Sequence, residues 1–495
     1  MVEPVHHLSD EIVDAVSFLD GEFIDDGVTI LRENPARPDR IVSRVAASSP
    51  ALVHRAVEAA DAAAPEWAAT AVAERARTLR RIAVSFGEIA EDLARLQARE
   101  MGKPITDCRL ELLSAELIAE SAADHAEQTL AVTTRETQAG GILRTEHRPF
   151  GVMAGIVPWN APINLSITKI ALALAAGNTI VVKPSPFAAA STTKFLTHIA
   201  RQLPGGVLNI VQGDVEAGGA LVTDPLVRRV SFTGGSRAAE AILAAVAPRL
   251  VQTTLELGGN DAALVLEDAV LDDAAMRRAV TASYRTAGQV CMAAKRWYVH
   301  ASRYEEFVGR WEETANRIVR VGDPAEETTT VGPVVSAAAA RRVRGLVDDA
   351  AGRGAEVRTV GTVDDIVSVG GYFLQPTIVL GAVDEWPVVA EEQFGPTVPI
   401  LRVDGVDEAV RRANDSPYGL ASSVWSADAA RAFEVAQRLE AGYTFINTHS
   451  VDGLSFDAPF GGVKRSGFGR EYGPEGILEY SASHTTHYPA HVRVA

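Results

Sequence analysis

The sequence predicts an α/β protein of two lobes, each built on a mainly parallel sheet, with a β-hairpin arm. Three observations carry that prediction. From Val152 onward, strand-like apolar runs alternate with helix-like ones, and a second alternating series follows "TTLELGGNDAALVLED". Before Val152, "AVTTRETQAGGILRTEHRPF" turns β-branched and polar around Gly140-Gly141, as a hairpin does. At 495 residues the chain also exceeds one ordinary core. Neither an internal repeat nor a long Ser/Gly linker divides it, so the lobes are expected to pack together.

Taken in order, residues from about Ser49 to Arg109 read as helices. "ALVHRAVEAADAA" sets Val53, Val57 and Ala60 on one face, and "RARTLRRIAVSFGEIAEDLARLQARE" repeats apolar residues at three- and four-residue steps. The hairpin arm follows. "MAGIVPW" reads as a strand, "PINLSITKIALALAAG" as a helix ended by Gly177, and "TIVVKPS" as a strand. Next come the helix "AASTTKFLTHIARQL", the strand "GVLNIVQG", a short helix and the strand "RRVSFTGG". The helix "SRAAEAILAAVA" has Ser236 as its expected N-cap. In the second series, "KRWYVHAS" and "TVPILRVDG" read as strands, and "RYEEFVGRWEETANRIV" and "DEAVRRANDS" as helices. The end, "GILEYSASHTTHYPAHVRV", is strand-like again and is expected to pair with the arm. The boundaries that follow are 1–130 with 150–257 for the first lobe, 258–475 for the second, and 131–149 with 476–495 for the arm.

Composition narrows the function. With 47% hydrophobic and 22% charged residues, the chain reads as a globular protein. Lys+Arg 47 against Asp+Glu 64 gives a net charge of −17, which disfavours nucleic acid and anionic membrane as partners. No apolar run is long enough to span a bilayer, and "MVEPVHHLSDEIVD" lacks the layout of a secretory signal, so a cytoplasmic location is expected. Two cysteines, Cys108 and Cys291, are too few for a disulfide framework, and neither paired CxxC elements nor HExxH suggests a metal site.

Parallel sheets bind ligands beyond the C-terminal ends of their strands. Four polar stretches fall there: "PWNAP", "KPSP", "FTGGS" and "ELGGN". The fingerprint GxGxxG follows none of these strands, so a conventional Rossmann turn is not supported, although "TGGS" opening a helix can seat phosphate through backbone N–H groups. Glu256 ends an apolar strand before two glycines, where a desolvated carboxylate can serve as a general base or form a salt bridge. Asn160, held between Ala161-Pro162 and Pro158-Trp159, is a turn former or an oxyanion donor. A lone cysteine is more often inert and buried than reactive, and both Cys108 and Cys291 admit that reading.

The strings "FLDGEFIDD", "PWNAP", "VVKPS", "GVLNIVQGD", "SFTGGS", "LELGGN", "GQVC", "EEQFGP" and "PFGGVKRSGFGRE", in this order, resemble the aldehyde dehydrogenase superfamily over nearly the whole chain. The resemblance implies a dinucleotide-binding lobe, a catalytic lobe and an oligomerisation arm, with Cys291 as nucleophile, Glu256 as base and Asn160 as oxyanion donor. It implies NAD or NADP as cofactor, with Ile156, Pro158 and Trp159 walling the dinucleotide, and Lys183 and Ser185 at the adenosine ribose. Gly213, Gly234, Ser236 and Leu257 match positions along the cofactor, and Glu392 and Phe394 those at the nicotinamide ribose and ring. A homodimer or homotetramer acting on a small-molecule aldehyde is expected.

Two departures bear on the cofactor. Pro186 stands where many NAD-preferring members carry an acid that would repel a 2′-phosphate, and Ala239 replaces a glycine after "FTGGS". The implied substrate pocket contains Asn164, Leu165, Val290, Met292, Phe456 and Asp457. Leu165, Met292 and Phe456 suit an apolar or aromatic aldehyde, whereas Asp452 and Asp457 would favour an amino-aldehyde. These segments hold no arginine, which argues against a semialdehyde needing a cationic clamp. Rival readings are a CoA-acylating semialdehyde dehydrogenase, a cofactor-independent cysteine esterase, and a non-enzymatic protein of the same fold.

Overall fold

The computed structural model describes residues 11–489; the start read for a signal and the last residues of the arm segment lie partly outside them. The apolar five-residue runs Val152–Ile156 and Thr179–Lys183 are buried along their whole length, as strands covered on both faces must be. They sit at the centre of an eight-stranded sheet. Its order is Gly467–Phe468, Gln252–Glu256, Val227–Thr233, Val152–Ile156, Thr179–Lys183, Leu208–Ile210, Ser17–Leu19, Glu22–Ile24. The five middle strands are parallel, and antiparallel strands close both edges. Residues 467–468 thus extend the first sheet, although the sequence reading put them with the second lobe.

The second sheet has seven strands, in the order Glu356–Thr359, Thr377–Leu380, Thr397–Val403, Ala294–His300, Asp261–Val265, Ala421–Trp425, Tyr443–Ile446. All neighbours are parallel except Glu356–Thr359 against Thr377–Leu380. A third sheet pairs the hairpin Thr133–Glu136 and Ile142–Pro149 with Ser481–Tyr488, the last in register from Ser481 opposite Pro149 to Tyr488 opposite Ile142. The strand-like end therefore joins the arm.

Helices cover the sheets. Pro50–Ala69 buries Val53, Val57 and Ala60. The helical region runs well past Arg109, because Ile105–Thr129 forms one long helix. Pro162–Ala176 begins on a proline, whose missing N–H costs nothing in the first turn, and ends at Gly177 in the left-handed conformation (φ 92°). Its first N–H groups are satisfied from another helix: Glu111 Oε1 accepts from Ile163 N at 2.8 Å and Asn164 N at 3.1 Å. The cap expected of Ser236 is not made. Gly235 occupies the cap position and Ser236 is the first helical residue, without a side-chain capping bond.

Candidate active site

The parallel register brings the sequence-predicted residues to one edge. Ile156 lies opposite Lys183, and Thr233 opposite Glu256, so four strands end in line and their loops share one side of the sheet. The second sheet contributes the loop between Asp273–Tyr284 and Ala294–His300, which carries Cys291. Thr286, Ala287 and Gly288 there all have positive φ (51°, 55° and 70°), a costly conformation for the first two. A Cβ on Gly288 would lie 2.3 Å from the Gly395 carbonyl oxygen, so glycine lets this loop press backbone to backbone on the "EEQFGP" segment.

Cys291, Glu256 and Asn160 line one cavity of about 1160 Å³, counting its open mouth. Asn160 Nδ2 donates to the Gln289 carbonyl at 3.0 Å, which fixes the amide two residues ahead of the cysteine. Gln289 is itself held, accepting from Val335 N at 2.9 Å and donating to the Thr286 carbonyl at 3.1 Å. An amide nitrogen carries two hydrogens, so one remains for a ligand.

Glu256 is buried, and neither carboxylate oxygen has a hydrogen-bond partner among the described residues. Burial first, and the nearby Glu471 second, hold its pKa well above the usual carboxylate range, against the pull of Lys169 and Arg470. Lys169 and Glu471 form an ion pair at 2.7 Å with both side chains essentially inaccessible. Lys169 also donates to Ser231 Oγ at 3.0 Å, and Ser231 Oγ accepts from Tyr480 Oη at 2.9 Å. Burial raises the Cys291 thiol to about 12, with Lys295 acting in the opposite direction and Glu392, Asp261 and Glu256 adding to the rise. Cys108 is a different case, fully buried in the core with its thiol pushed far above the ordinary value.

The remaining predicted pocket residues divide. Asn164, Leu165, Val290, Met292 and Phe456 line the cavity with Cys291, and Phe460 and Tyr472 extend the aromatic wall. Asp457 does not: its Oδ1 is exposed and accepts from Ser121 Oγ and pairs with His125 Nε2, each at 3.0 Å. The helix Ile105–Thr129 supplies these partners and draws the carboxylate outward. The lack of arginine is also corrected, because Arg285 lines the cavity. Its Nη1 reaches Asp452 Oδ1 at 2.6 Å and its Nε reaches Asp107 Oδ1 at 3.5 Å. Arg285 lies six residues before Cys291, outside the segments read as pocket, and the two acidic partners that hold it are remote in sequence.

On the other side of the strand ends, Lys183 is buried and donates to the Gly213 carbonyl at 2.8 Å and the Pro184 carbonyl at 3.0 Å. Desolvation lowers its pKa to about 8. Ser185 caps the short turn Pro186–Ala188 by accepting from Phe187 N at 3.3 Å. The Trp159 ring stands 5.7 Å from Phe394 and 6.4 Å from Phe187, edge to face in both cases. Glu392 accepts from Gly259 N at 3.2 Å, and a Cβ on Gly258 would meet its Oε2 at 2.2 Å. Leu257 N is engaged by the Ser466 carbonyl at 3.0 Å. Ile156, Pro158, Gly234 and Ser236 lie along the strand-end loops between these groups. The buried Thr233 Oγ1 has no partner among the described residues. An aromatic wall, a carboxylate, a lysine and an orphan hydroxyl along strand ends suit a dinucleotide.

Sequence reasoning missed Lys169, Glu471, Arg285 and Lys295. A signal existed for Lys169, the lone lysine inside the apolar helix "PINLSITKIALALAA". Among the described residues, no group of acidic, histidine or cysteine side chains could hold a metal ion, and no helix is long and apolar enough to cross a membrane.

Comparison with known proteins agrees with the geometry. The chain is 36% identical to a glutarate-semialdehyde dehydrogenase of Pseudomonas putida over 470 residues, covering 94% of this chain and 95% of that protein. It is 35% identical to a betaine aldehyde dehydrogenase of Rhizobium etli over 486 residues, covering 96% and 97%. The fold matches the crystal structure of an E. coli NADP-dependent enzyme with TM-score 0.91 at 33% identity, over 96% of this chain and 98% of that one. It matches an NAD-dependent aldehyde dehydrogenase from Sinorhizobium meliloti with TM-score 0.91 at 31% identity, over 97% and 96%. With the model of the aldehyde dehydrogenase family matching residues 24–486 as well, the chain belongs to the aldehyde dehydrogenase family.

Proposed function

We propose that the protein oxidises an aldehyde to the carboxylic acid with NAD or NADP, through a thioester on Cys291. The observation that carries this reading is the meeting of a thiol, an unpaired buried carboxylate and an oriented amide in one cavity. A thiol near 12 is a weak nucleophile at neutral pH until a base takes its proton, and Glu256, a carboxylate of raised basicity facing the same cavity, is that base. Cys291 Sγ then bonds to the carbonyl carbon, and the charge forming on oxygen is met by the second Asn160 amide hydrogen and the Cys291 backbone N–H. A bound nicotinamide dinucleotide supplies the acceptor for hydride. Trp159, Phe394, Glu392 and Lys183 would hold it, along with the loops that contain Gly213 and Gly234. Once the acyl group is a thioester, Glu256 has passed the thiol's proton to solvent; it then takes a proton from water, the water oxygen bonds to the acyl carbon, the C–S bond breaks and Glu256 returns the proton to the departing sulfur. The acid leaves and the thiol is restored. Glu256 and its desolvated setting favour this outcome over acyl transfer to coenzyme A.

The walls of Leu165, Val290, Met292, Phe456 and Tyr472 favour an aldehyde with an apolar or aromatic body. A specific observation supports a second reading: Arg285 in the lining could receive the far carboxylate of a semialdehyde if Asp452 yields. The exposed hairpin strand Thr133–Glu136, at the edge of the three-stranded arm sheet, offers unpaired backbone groups for assembly into a homodimer or homotetramer.

The test is reduced-nicotinamide formation over short and long aliphatic, aromatic, amino- and carboxy-substituted aldehydes, each with NAD and NADP. Activity that disappears in Cys291→Ala is the expected result; the same activity in that variant would defeat the reading.

A further inference from the structure

Lys295 lies four residues after Cys291, near the start of the buried strand Ala294–His300. Its side chain is 4% exposed and its ammonium meets two groups. It donates to the main-chain carbonyl of Cys291 itself, and it pairs with Glu392 Oε1 at 3.2 Å. Glu392 Oε1 is also held by Gly259 N, and the backbone of Gly259 presses on the same Cys291 carbonyl: a Cβ there would fall 2.9 Å from that oxygen. Three segments distant in sequence therefore close around one cation: the nucleophile loop, the glycine pair after Glu256, and the segment carrying Glu392.

We propose that Lys295 is a positioning residue which, by gripping the Cys291 carbonyl and the Glu392 carboxylate on one ammonium, fixes the nucleophile against the cofactor side of the site and supplies positive charge beside the thiol. The inference rests on the roles given above to Cys291 and Glu392. Its physical reasons are two. A lysine buried among an anion and a carbonyl oxygen is seated by both, so neither partner can move without unpairing a charge. After Lys295, the charged groups that act most on the thiol are acidic, namely Glu392, Asp261 and Glu256, while the cavity's other cations are already paired, Arg285 with Asp452 and Lys103 with Glu111. Asp261 Oδ1 accepts from Ala421 N at 3.2 Å and its Oδ2 lies 3.6 Å from His449 Nε2, while Lys295 acts on the thiol in the direction opposite to these acids. Removing Lys295 strips the positive charge and leaves Glu392 unpaired, and both changes disfavour the thiolate.

The experiment measures the thiol, without cofactor, in the full-length protein. Cys291 is alkylated with iodoacetamide across a pH series and followed by mass spectrometry on its own peptide, with buried Cys108 as the internal reference. Lys295→Met is expected to move the midpoint up, read as roughly tenfold slower alkylation at a fixed pH below it. Lys295→Arg is expected to keep the midpoint near that of the unmodified protein. Glu392→Gln, which keeps the lysine, is expected to move it down. In steady state Lys295→Met is expected to raise KM for the dinucleotide as well as lower kcat. An unchanged alkylation profile in folded Lys295→Met overturns the proposal. If that variant does not fold, an unchanged or upward-shifted profile in Glu392→Gln overturns it. Failure of the parent reading looks different, since it appears as aldehyde oxidation that survives Cys291→Ala.

Discussion

Lys169 Nζ and Glu471 Oε1 lie 2.7 Å apart with both side chains sealed from solvent, and the two act with opposite sign on the Glu256 carboxylate. This arrangement separates the pair's contribution to stability from its contribution to the base. Lys169→Met leaves Glu471 buried without its partner and is expected to destabilise the fold by about 3–5 kcal/mol, readable from denaturant unfolding. It also removes a cation that favours ionised Glu256, so the acid limb of the pH–rate profile moves to higher pH. Glu471→Gln removes an anion that disfavours ionisation, and the limb moves to lower pH. Shifts of the same sign in both variants would show that the pair does not tune Glu256.

Glu256→Gln is expected to lower the turnover rate by about 10²–10⁴-fold. If Glu256 serves water attack on the thioester, rapid mixing shows a burst of reduced nicotinamide followed by a slow phase. If it serves thiol deprotonation as well, the burst slows at neutral pH and recovers as the pH rises. A burst of unchanged rate followed by the slow phase therefore assigns Glu256 to hydrolysis alone.

Much of this site could be read along the chain, because Lys183 and Glu256 end their strands, Asn160 follows one, and the parallel register brings those strand ends into line. Cys291 gained meaning from its neighbours in "GQVC". What stayed hidden depends on contacts between remote segments. Lys169 meets Glu471 across 302 positions, and Asp457 is drawn out of the pocket by Ser121 and His125 on a helix more than three hundred residues earlier. Arg285 likewise gains its place from Asp107 and Asp452. The N-cap expected at Ser236 failed for a local reason: two glycines precede it, and the second takes the extended backbone of the cap. The hairpin Val28–Asn34 with Arg37–Ala47 gave no signal that stood out from the surrounding polar sequence.

Cofactor choice is expected to be weakly discriminating. After Ser185 the chain turns through Pro186, which offers no carboxylate to repel a 2′-phosphate, and Lys183 is nearby. Catalytic efficiencies with NAD and NADP are expected within about tenfold of each other. Pro186→Glu is expected to raise KM for NADP by about fivefold, the effect of one added charge of about 1 kcal/mol, with little change for NAD. An equal effect on both cofactors would place Pro186 away from the 2′ position.

Arg285 decides between the two substrate readings. Its Nη1 is held by Asp452 at 2.6 Å and its Nε faces Asp107 at 3.5 Å, so in this arrangement its charge is already met. A terminal carboxylate must displace Asp452, whose side chain is more exposed than that of Asp107 and is the easier one to move. A matched pair of five-carbon aldehydes, with and without a terminal carboxylate, isolates this term. If the apolar reading holds, Arg285→Leu changes kcat/KM for the uncharged aldehyde by less than about threefold, and the carboxylated one stays poor throughout. If Arg285 is a clamp, the same substitution lowers kcat/KM for the carboxylated aldehyde by about 10–100-fold, the worth of a charge-assisted hydrogen bond. Asp452→Asn sharpens the test, since it frees the guanidinium while keeping the shape of the wall. Under the clamp reading it improves the carboxylated substrate, and under the apolar reading it leaves the ranking unchanged.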